Sequence, residues 1–73
     1  MSSEQAQLLR NHTARQIYDT ISEKGPITAK QLGEELPDIP RSKRGSMMQR
    51  LHNVGLIRRT TDSHCQSIWE VAR

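Results

Sequence analysis

The sequence predicts a small, mainly helical domain that is completed by a β-hairpin, and three observations lead to that prediction. Two capping-box patterns and two glycine stops divide the chain into short segments with a helical apolar period. Two runs near the carboxyl end are instead rich in β-branched and apolar residues and flank a polar tetrapeptide. A chain of 73 residues is long enough for one domain with a small core.

The first predicted helix begins at Thr13. Thr13 and Gln16 have the spacing of a capping box, in which two side chains satisfy free backbone N–H groups at a helix start. Gly25 tolerates left-handed backbone and ends the helix just before a proline. Between these limits an apolar stripe is predicted at helical spacing, formed by Ala14, Ile17, Tyr18 and Ile21.

A second short helix is predicted after one extended residue, Ile27. Thr28 and Gln31 form another capping box. Residues 37–40 end this helix because they include two prolines, which lack the backbone N–H that a continuing helix needs, and Ile39 is expected to fill the turn. The inward face of the helix is predicted to be Ala29, Leu32 and Leu36.

The third predicted helix begins near Ser42, a suitable capping residue, and ends at Gly55. Arg44 falls on its inward side. Either the apolar stem of Arg44 packs inward while its charge reaches toward phosphate, or the helix begins later than Ser42. The inward stripe is predicted to be Met47, Leu51 and Val54, with Met48 at its edge. The outward face is predicted to be Ser42, Gly45, Ser46, Gln49 and Asn53, with Lys43 and Arg50 beside it.

The two ends of the chain differ in how clearly their structure is predicted. Residues 56–60 and 66–71 are predicted to be the strands of a hairpin, connected by the polar residues 61–64. Trp69 and Val71 are two apart, so both should point to one side of the strand and cover the helices. For the extension formed by residues 1–12, three structures are open: a frayed tail, a short helix or a continuation of the first helix. Its apolar residues Leu8 and Leu9 are candidates for a dimer contact.

Charge is distributed unevenly along the chain. Residues 41–73 hold seven of the eleven Lys and Arg and two of the eight acidic residues, which gives them a net charge of +5. Residues 1–40 have a net charge of −2. Clustered cations bind polyanions by releasing condensed counterions, so the second half of the chain favours a nucleic-acid partner.

Several classes of function have no support in the sequence. It contains no phosphate-binding loop, nucleophile motif or apolar pair of carboxylates, so neither an enzyme activity nor a cofactor is predicted. No metal is predicted, because the paired short spacings of a zinc site are missing among His12, His52, His64 and Cys65. The single cysteine excludes an intrachain disulfide.

No apolar run approaches the roughly 18 residues of a membrane span, and the N-terminus lacks signal-peptide features. We therefore expect a cytoplasmic, nucleoid-associated protein with no membrane partner.

The order of helix, short strand, helix, tight turn, helix and two-stranded wing resembles the winged helix-turn-helix family from about Ala14 to Ala72. The most specific match is Met48-x-x-Leu51-x-x-x-Gly55-Leu56-Ile57, which resembles the recognition helix and first wing strand of small prokaryotic or phage repressors. Trp69-x-Val71 resembles the end of the second wing strand. The resemblance implies a DNA-binding domain over residues 13–73, with three helices and a two- or three-stranded antiparallel wing. The family usually has an apolar residue at the position of Arg44.

The Trp69 segment and the order of elements also resemble the branch of winged helices that binds Z-form nucleic acid. That branch presents an Asn and a Tyr from its third helix. Aligned at Gly55, these two positions are Gly45 and Gln49 here. The difference is evidence against the Z-form interpretation.

The resemblance implies sequence-specific binding of double-stranded DNA by a transcriptional regulator. The third helix would enter the major groove, about 12 Å wide, and the wing would contact the backbone or minor groove. Gln49 is the first choice for a base contact, since its amide can pair bidentately with adenine; Asn53 is a second, and Arg50 suits guanine or phosphate. A solvated helix face is the alternative for all three. The other candidate DNA-binding residues are Thr28, Lys30, Arg41, Ser42, Lys43, Arg44, Ser46, Arg58, Arg59 and His64.

Some of these candidates have a plain structural alternative. Thr28 caps a helix whether or not it touches the DNA backbone. Arg58 and Arg59 are successive strand residues, so at most one of them faces a duplex. His64 at the wing tip and Arg73 at the chain end either contact the DNA or are solvated.

Other functions and assemblies stay open at this point. A regulator of this type usually binds a palindromic site as a homodimer, with half-sites about 34 Å apart. The surfaces available for pairing are the first dozen residues, chiefly Leu8 and Leu9, or the exposed edge of the wing. Winged helices also serve as protein–protein adaptors, and others are accessory proteins in replication or packaging. Lys43, Arg50 and Arg58 on one surface would favour DNA, whereas scattered cations would favour the adaptor.

Overall fold

A computed structural model describes residues 2–72 as a small mixed α/β domain. The four helices in that range are α1 (Ser3–Leu9), α2 (His12–Lys24), α3 (Ala29–Glu35) and α4 (Arg41–Asn53). The strands are β1 (Ile27–Thr28), β2 (Ile57–Thr61) and β3 (Ser67–Val71), and they form one antiparallel sheet in the order β1-β3-β2. The predicted combination of short helices and a carboxyl-terminal hairpin is confirmed, and β1 joins the hairpin as a third strand. The residues described form four helices where three were predicted, because α1 is a helix of its own.

Helix α2 starts earlier than the sequence predicted. Its N-cap is Asn11, whose Oδ1 accepts hydrogen bonds from the backbone N–H groups of Thr13 (3.0 Å) and Ala14 (3.2 Å). The predicted capping box at Thr13 is wrong because the Asn two residues upstream takes that role. The predicted apolar stripe is confirmed: Ala14, Ile17 and Ile21 are fully buried and Tyr18 packs beside them. Gly25 has φ +75° and ends the helix.

The residues before α2 form the separate short helix α1. Ser2 and Gln5 make a capping box at its start, and Leu8 and Leu9 pack, half-buried, against the core. The side-chain Nε2 of Gln5 donates a 2.7 Å hydrogen bond to the carbonyl oxygen of Val54, just past the end of α4. Helix α1 is therefore attached to the same packed unit as the other helices.

Helix α3 follows β1 directly and is capped as predicted, with the Thr28 hydroxyl accepting from the backbone N–H of Gln31. Leu32 is fully buried and Leu36 partly so. Ala29 is exposed, contrary to the prediction, because this first helical residue lines an open cleft toward α4. Ile39 is buried in the turn after α3, as predicted.

Helix α4 begins at Arg41, with Pro40 at the N-cap position and no side chain capping it. The predicted Ser42 cap is therefore wrong, and so is the alternative of a later start. Met48 is buried together with Met47 and Leu51, whereas the prediction put it at the edge. The buried face is wider than one stripe because α4 packs against both α2 and β2. As predicted, Gly55 closes this segment, with φ +80°.

The register of the sheet determines which side chains face the helices. Ile57 pairs with Val71, and Trp69 pairs with both Arg59 and Ile27. Directly opposed residues share a face, so the face that carries buried Ile57 also carries Trp69 and Val71. Both pack against the core, as predicted. In residues 2–72, no helix has the length and apolarity to span a bilayer.

Candidate nucleic-acid interface

One side of α4 presents four uncharged polar residues to solvent, and we call them the polar stripe. They are separated by four, three and four residues, which places them on one face of a helix. All four are exposed, and they lie on the side of α4 away from fully buried Leu51. The polar stripe consists of Ser42, Ser46, Gln49 and Asn53.

The two amides of the polar stripe contact each other. Nε2 of Gln49 donates a hydrogen bond of 3.0 Å to Oδ1 of Asn53, one helical turn later. An amide nitrogen carries two hydrogens, so Gln49 retains one N–H donor and its carbonyl oxygen. Those are the two groups that pair with the N7 and N6 positions of adenine.

Cations flank the polar stripe. Lys43 and Arg50 are exposed and seven residues apart, so they share one flank of α4. On that flank, a groove between α1 and α4 is lined by Arg50, Asn53 and the carboxylate of Glu4. Helix α4 contains four Lys and Arg and no acidic residue, so its exposed side is a surface of positive potential.

The other flank of α4 forms a cleft with α3, which we call the α3–α4 cleft. Arg44 is half-buried there, and its guanidinium lies against Gly33: a Cβ at Gly33 would be 3.0 Å from Cζ of Arg44. Arg44 thus packs between the two helices while its charged end remains in the cleft. The cleft is lined by Ala29, Lys30, Gly33, Glu34, Arg41 and Arg44.

The two arginines of β2 have different environments. Nε of Arg58 lies 2.7 Å from Oε1 of Glu70, its partner across the strands, on the sheet face opposite to Ile57. Arg59 is exposed and shares the Ile57 face. Of the three cations named as the test of a common surface, Lys43 and Arg50 share a flank of α4, and Arg58 lies elsewhere.

The aromatic ring of Trp69 links the hairpin to α4. It meets the ring of His52 edge-on, with centroids 5.8 Å apart and planes at 83°. The predictions did not include this contact, nor the pairing of Arg58 with Glu70. The alternation of side chains along β2 and β3 could have indicated the pairing of Arg58 with Glu70, once the register was known. The contact of Trp69 with His52 depends on how the sheet packs against α4, for which the sequence carries no such signal.

The remaining candidates are peripheral. His64 is exposed at the tip of the hairpin, where Oδ1 of Asp62 accepts 2.9 Å hydrogen bonds from the backbone N–H groups of His64 and Gln66. That carboxylate lowers the local positive potential. Thr28 acts as the cap of α3, and Arg73 lies outside the described residues. Between residues 2 and 72, no group of three or more His, Cys, Asp or Glu side chains is arranged to hold a metal ion.

No protein-family model, curated protein or solved structure matches the chain. The interpretation of function therefore depends on the geometry of α4 and its neighbours. That geometry combines a polar stripe, one flank with Lys43 and Arg50, and a second flank with the cations of the α3–α4 cleft.

Proposed function

We propose that this protein is a winged helix-turn-helix protein that binds double-stranded DNA sequence-specifically and acts as a transcriptional regulator. In this proposal α3 and α4 are the helix-turn-helix, α4 enters the major groove, and the β2–β3 hairpin is the wing. The observation that carries the proposal is the exposed side of α4, where uncharged hydrogen-bonding groups lie between cations and no acidic residue occurs.

The chemistry of that side matches the two components of a DNA interface. Hydroxyl and amide groups form hydrogen bonds with base edges, while lysine and arginine neutralise phosphates. Gln49 and Asn53 are the base-reading residues in this proposal, and Lys43 and Arg50 are the phosphate-binding ones. Arg59 is the hairpin cation of this proposal: it is exposed and shares the sheet face of Trp69, whose ring contacts His52 of α4.

A homodimer on a palindromic site in the cytoplasm is part of the same proposal. Leu8 and Leu9 are half-buried against their own core, which leaves only part of their apolar surface for a partner copy. Dimerisation through α1 would thus use the outer side of this helix. An accessory protein of replication or packaging would bind DNA by the same surface and differ only in its partners.

A protein–protein adaptor is the second candidate, and one observation favours it. Arg58 pairs with Glu70 and does not share the surface of Lys43 and Arg50, which is the scattered arrangement expected of an adaptor. Glu4 also lines the groove beside Arg50, so the positive surface is less continuous than the charge of the sequence suggested. An adaptor would present the same domain to an acidic protein surface.

Fluorescence anisotropy distinguishes these candidates. A labelled random duplex of about 30 base pairs, long enough for several helical turns, is titrated with protein at several salt concentrations. A DNA-binding protein should show log affinity that falls linearly with log salt, by about 0.9 for each phosphate neutralised. Absence of binding even at low salt would contradict DNA binding and favour the adaptor.

Sequence specificity has its own test once a preferred site has been selected. Gln49→Ala should weaken binding to that site by about 1–3 kcal/mol and relax the preference at one base pair. Binding to the random duplex should stay the same, because Gln49 is uncharged. The matched control is Gln16→Ala, which removes an exposed amide from α2. Unchanged discrimination among site variants by Gln49→Ala would contradict base reading by this residue.

A further inference from the structure

We propose that the α3–α4 cleft is a phosphate-binding site of the DNA interface, in which Gly33 positions the guanidinium of Arg44 to bind a backbone phosphate together with Lys30 and Arg41. This inference rests on the proposed DNA binding and deepens it. It adds a contact between protein and DNA outside the polar stripe, and it assigns a functional role to a glycine that would touch no DNA itself.

The first argument is the balance of charge in the cleft. Three cations line it, Lys30, Arg41 and Arg44, and Glu34 is the one carboxylate among its lining residues. Within the described range, the ion pairs join Arg15 to Asp19, Lys24 to Glu35 and Arg58 to Glu70, and none involves a cleft cation. Like charges held together repel each other, so an anion between them is stabilised.

The second argument is the fit of Arg44 against Gly33. A Cβ at Gly33 would lie 3.0 Å from Cζ and from one terminal nitrogen of Arg44, and 3.1 Å from the other nitrogen. The absence of a side chain at Gly33 therefore lets the flat guanidinium rest on α3. Arg44 is half-buried, so fewer of its conformations remain than for an exposed arginine. A guanidinium fixed in this way presents parallel N–H donors that match two phosphate oxygens.

The third argument is the start of α4, which borders the cleft at Arg41. Side chains cap α1, α2 and α3, whereas no side chain caps α4. The N-terminal end of a helix carries a partial positive charge, which adds to the field of the three cations. A phosphate in the cleft would interact favourably with this end of α4, which has no capping side chain.

The position of the cleft favours a DNA phosphate over a separate small anion. Arg41 of the cleft and Ser42 of the polar stripe both lie in the first turn of α4, so the cleft opens at the end of α4 where the polar stripe begins. When a helix lies in the major groove, the phosphate backbones run along both of its sides. A duplex that contacts the polar stripe would therefore bring a phosphate to the cleft.

Two variants test the site in different ways. Arg44→Met removes the charge and keeps a stem of similar length, so duplex affinity should fall about tenfold and the salt slope by roughly one. Gly33→Ala keeps every charge but puts a methyl group where the guanidinium lies. Arg44 is able to move aside because it is flexible at its far end, and alanine favours a helix more than glycine does, so the fold should persist. We expect the affinity to fall about threefold to tenfold without a lower melting temperature.

The controls separate position from charge and from helix propensity. Arg15→Met removes one exposed cation from α2, outside the α3–α4 cleft, and its duplex affinity should change little. Gly45→Ala makes the same glycine substitution in α4, where the added Cβ meets nothing within 4 Å beyond its chain neighbours and the backbone of its own helix, and it calibrates the change in melting temperature. Glu34→Gln removes the carboxylate of the cleft and should tighten duplex binding more than Glu23→Gln, which changes the net charge equally.

The outcomes are distinguishable. If the wild-type protein binds the duplex and both Gly33→Ala and Arg44→Met bind with the same affinity and salt slope, the cleft is not a phosphate site and the proposed DNA binding stands. If Glu34→Gln binds no tighter than Glu23→Gln, the assignment of this cleft is likewise wrong. If the wild-type protein fails to bind any duplex at low salt, both the proposed function and this site are overturned.

Discussion

Helices α2 and α4 are the same size but differ on their exposed sides. Each has 13 residues, each buries three of them, and they pack against each other. Asn11 caps α2, and an exposed ion pair joins Arg15 to Asp19 one turn apart. In contrast, α4 has no side-chain cap and no acidic residue, and its first four residues include Arg41, Lys43 and Arg44.

The difference has a cost in stability. A side-chain cap contributes about 1 kcal/mol, and each cation at the positive end of a helix costs about 0.3–1 kcal/mol when exposed. Only Arg50 and His52, in the last turn of α4, are favourably placed. A domain of this size has a free energy of unfolding of only about 4–11 kcal/mol. Because these residue types lower the stability of the domain, we expect that binding determines which residues occupy the exposed side of α4.

The largest predicted effect concerns the part that the two helices have in common. Ile17→Ala in α2 and Leu51→Ala in α4 should each lower the free energy of unfolding by about 2–5 kcal/mol, since both side chains are fully buried. In thermal unfolding this corresponds to a Tm lower by roughly 10 °C or more. Ser46→Ala, an exposed position in α4, serves as the control and should change Tm little. An unchanged Tm for Leu51→Ala would contradict the orientation of α4.

A second prediction concerns the difference between the helices. Lys43→Glu puts an acid in the first turn of α4, so it should raise the free energy of unfolding by about 0.3–1 kcal/mol. The same variant should weaken binding to every duplex, and more strongly than Lys43→Ala, which should lower the salt slope by roughly one. Urea unfolding and anisotropy measure the two quantities on one sample.

The matched substitution in α2 is His12→Glu. His12 is exposed in the first turn of α2, and that turn, like the first turn of α4, contains no acidic residue. It should stabilise the domain by a similar amount. If Lys43→Glu stabilises the domain and binds DNA as well as the wild-type protein does, the exposed side of α4 has another purpose. If it destabilises the domain, the cations at the start of α4 are not a cost.

The buried sides of both helices could be predicted from the sequence, whereas their starts could not. Apolar residues at helical spacing led to the burial of Ile17, Ile21 and Leu51, because this period is a direct consequence of helix geometry. The caps at Thr13 and Ser42 were wrong. A side-chain oxygen shows only that a cap is available, and the path of the chain into the helix decides which residue takes the role.

The candidate site divides in a similar way. The exposure of Gln49 and Asn53 followed from the helical period alone. The contact of Arg44 with Gly33 did not, because it depends on how closely α3 approaches α4. The pairing of Arg58 with Glu70 depends on the register of two strands, which a shift of one residue would reverse.

The smallest predicted effect concerns the hairpin, where, within the described range, a paired and an unpaired arginine can be compared as α2 and α4 were. Arg58 resembles Arg15 of α2, since both are exposed cations with a carboxylate partner, whereas no ion pair in residues 2–72 includes Arg59. Arg58→Ala should lower the free energy of unfolding by about 0–1 kcal/mol, the usual contribution of an exposed pair, and leave the salt slope of DNA binding unchanged.

Arg59→Ala should instead lower the salt slope by roughly one. Its free energy of unfolding should change by no more than about 0.5 kcal/mol. Anisotropy at several salt concentrations and urea unfolding measure both variants. A lower slope for Arg58→Ala with none for Arg59→Ala would mean that the hairpin meets the duplex with its other face. Since Trp69 shares the face of Arg59 and contacts His52, that result would also separate the hairpin surface from the polar stripe of α4.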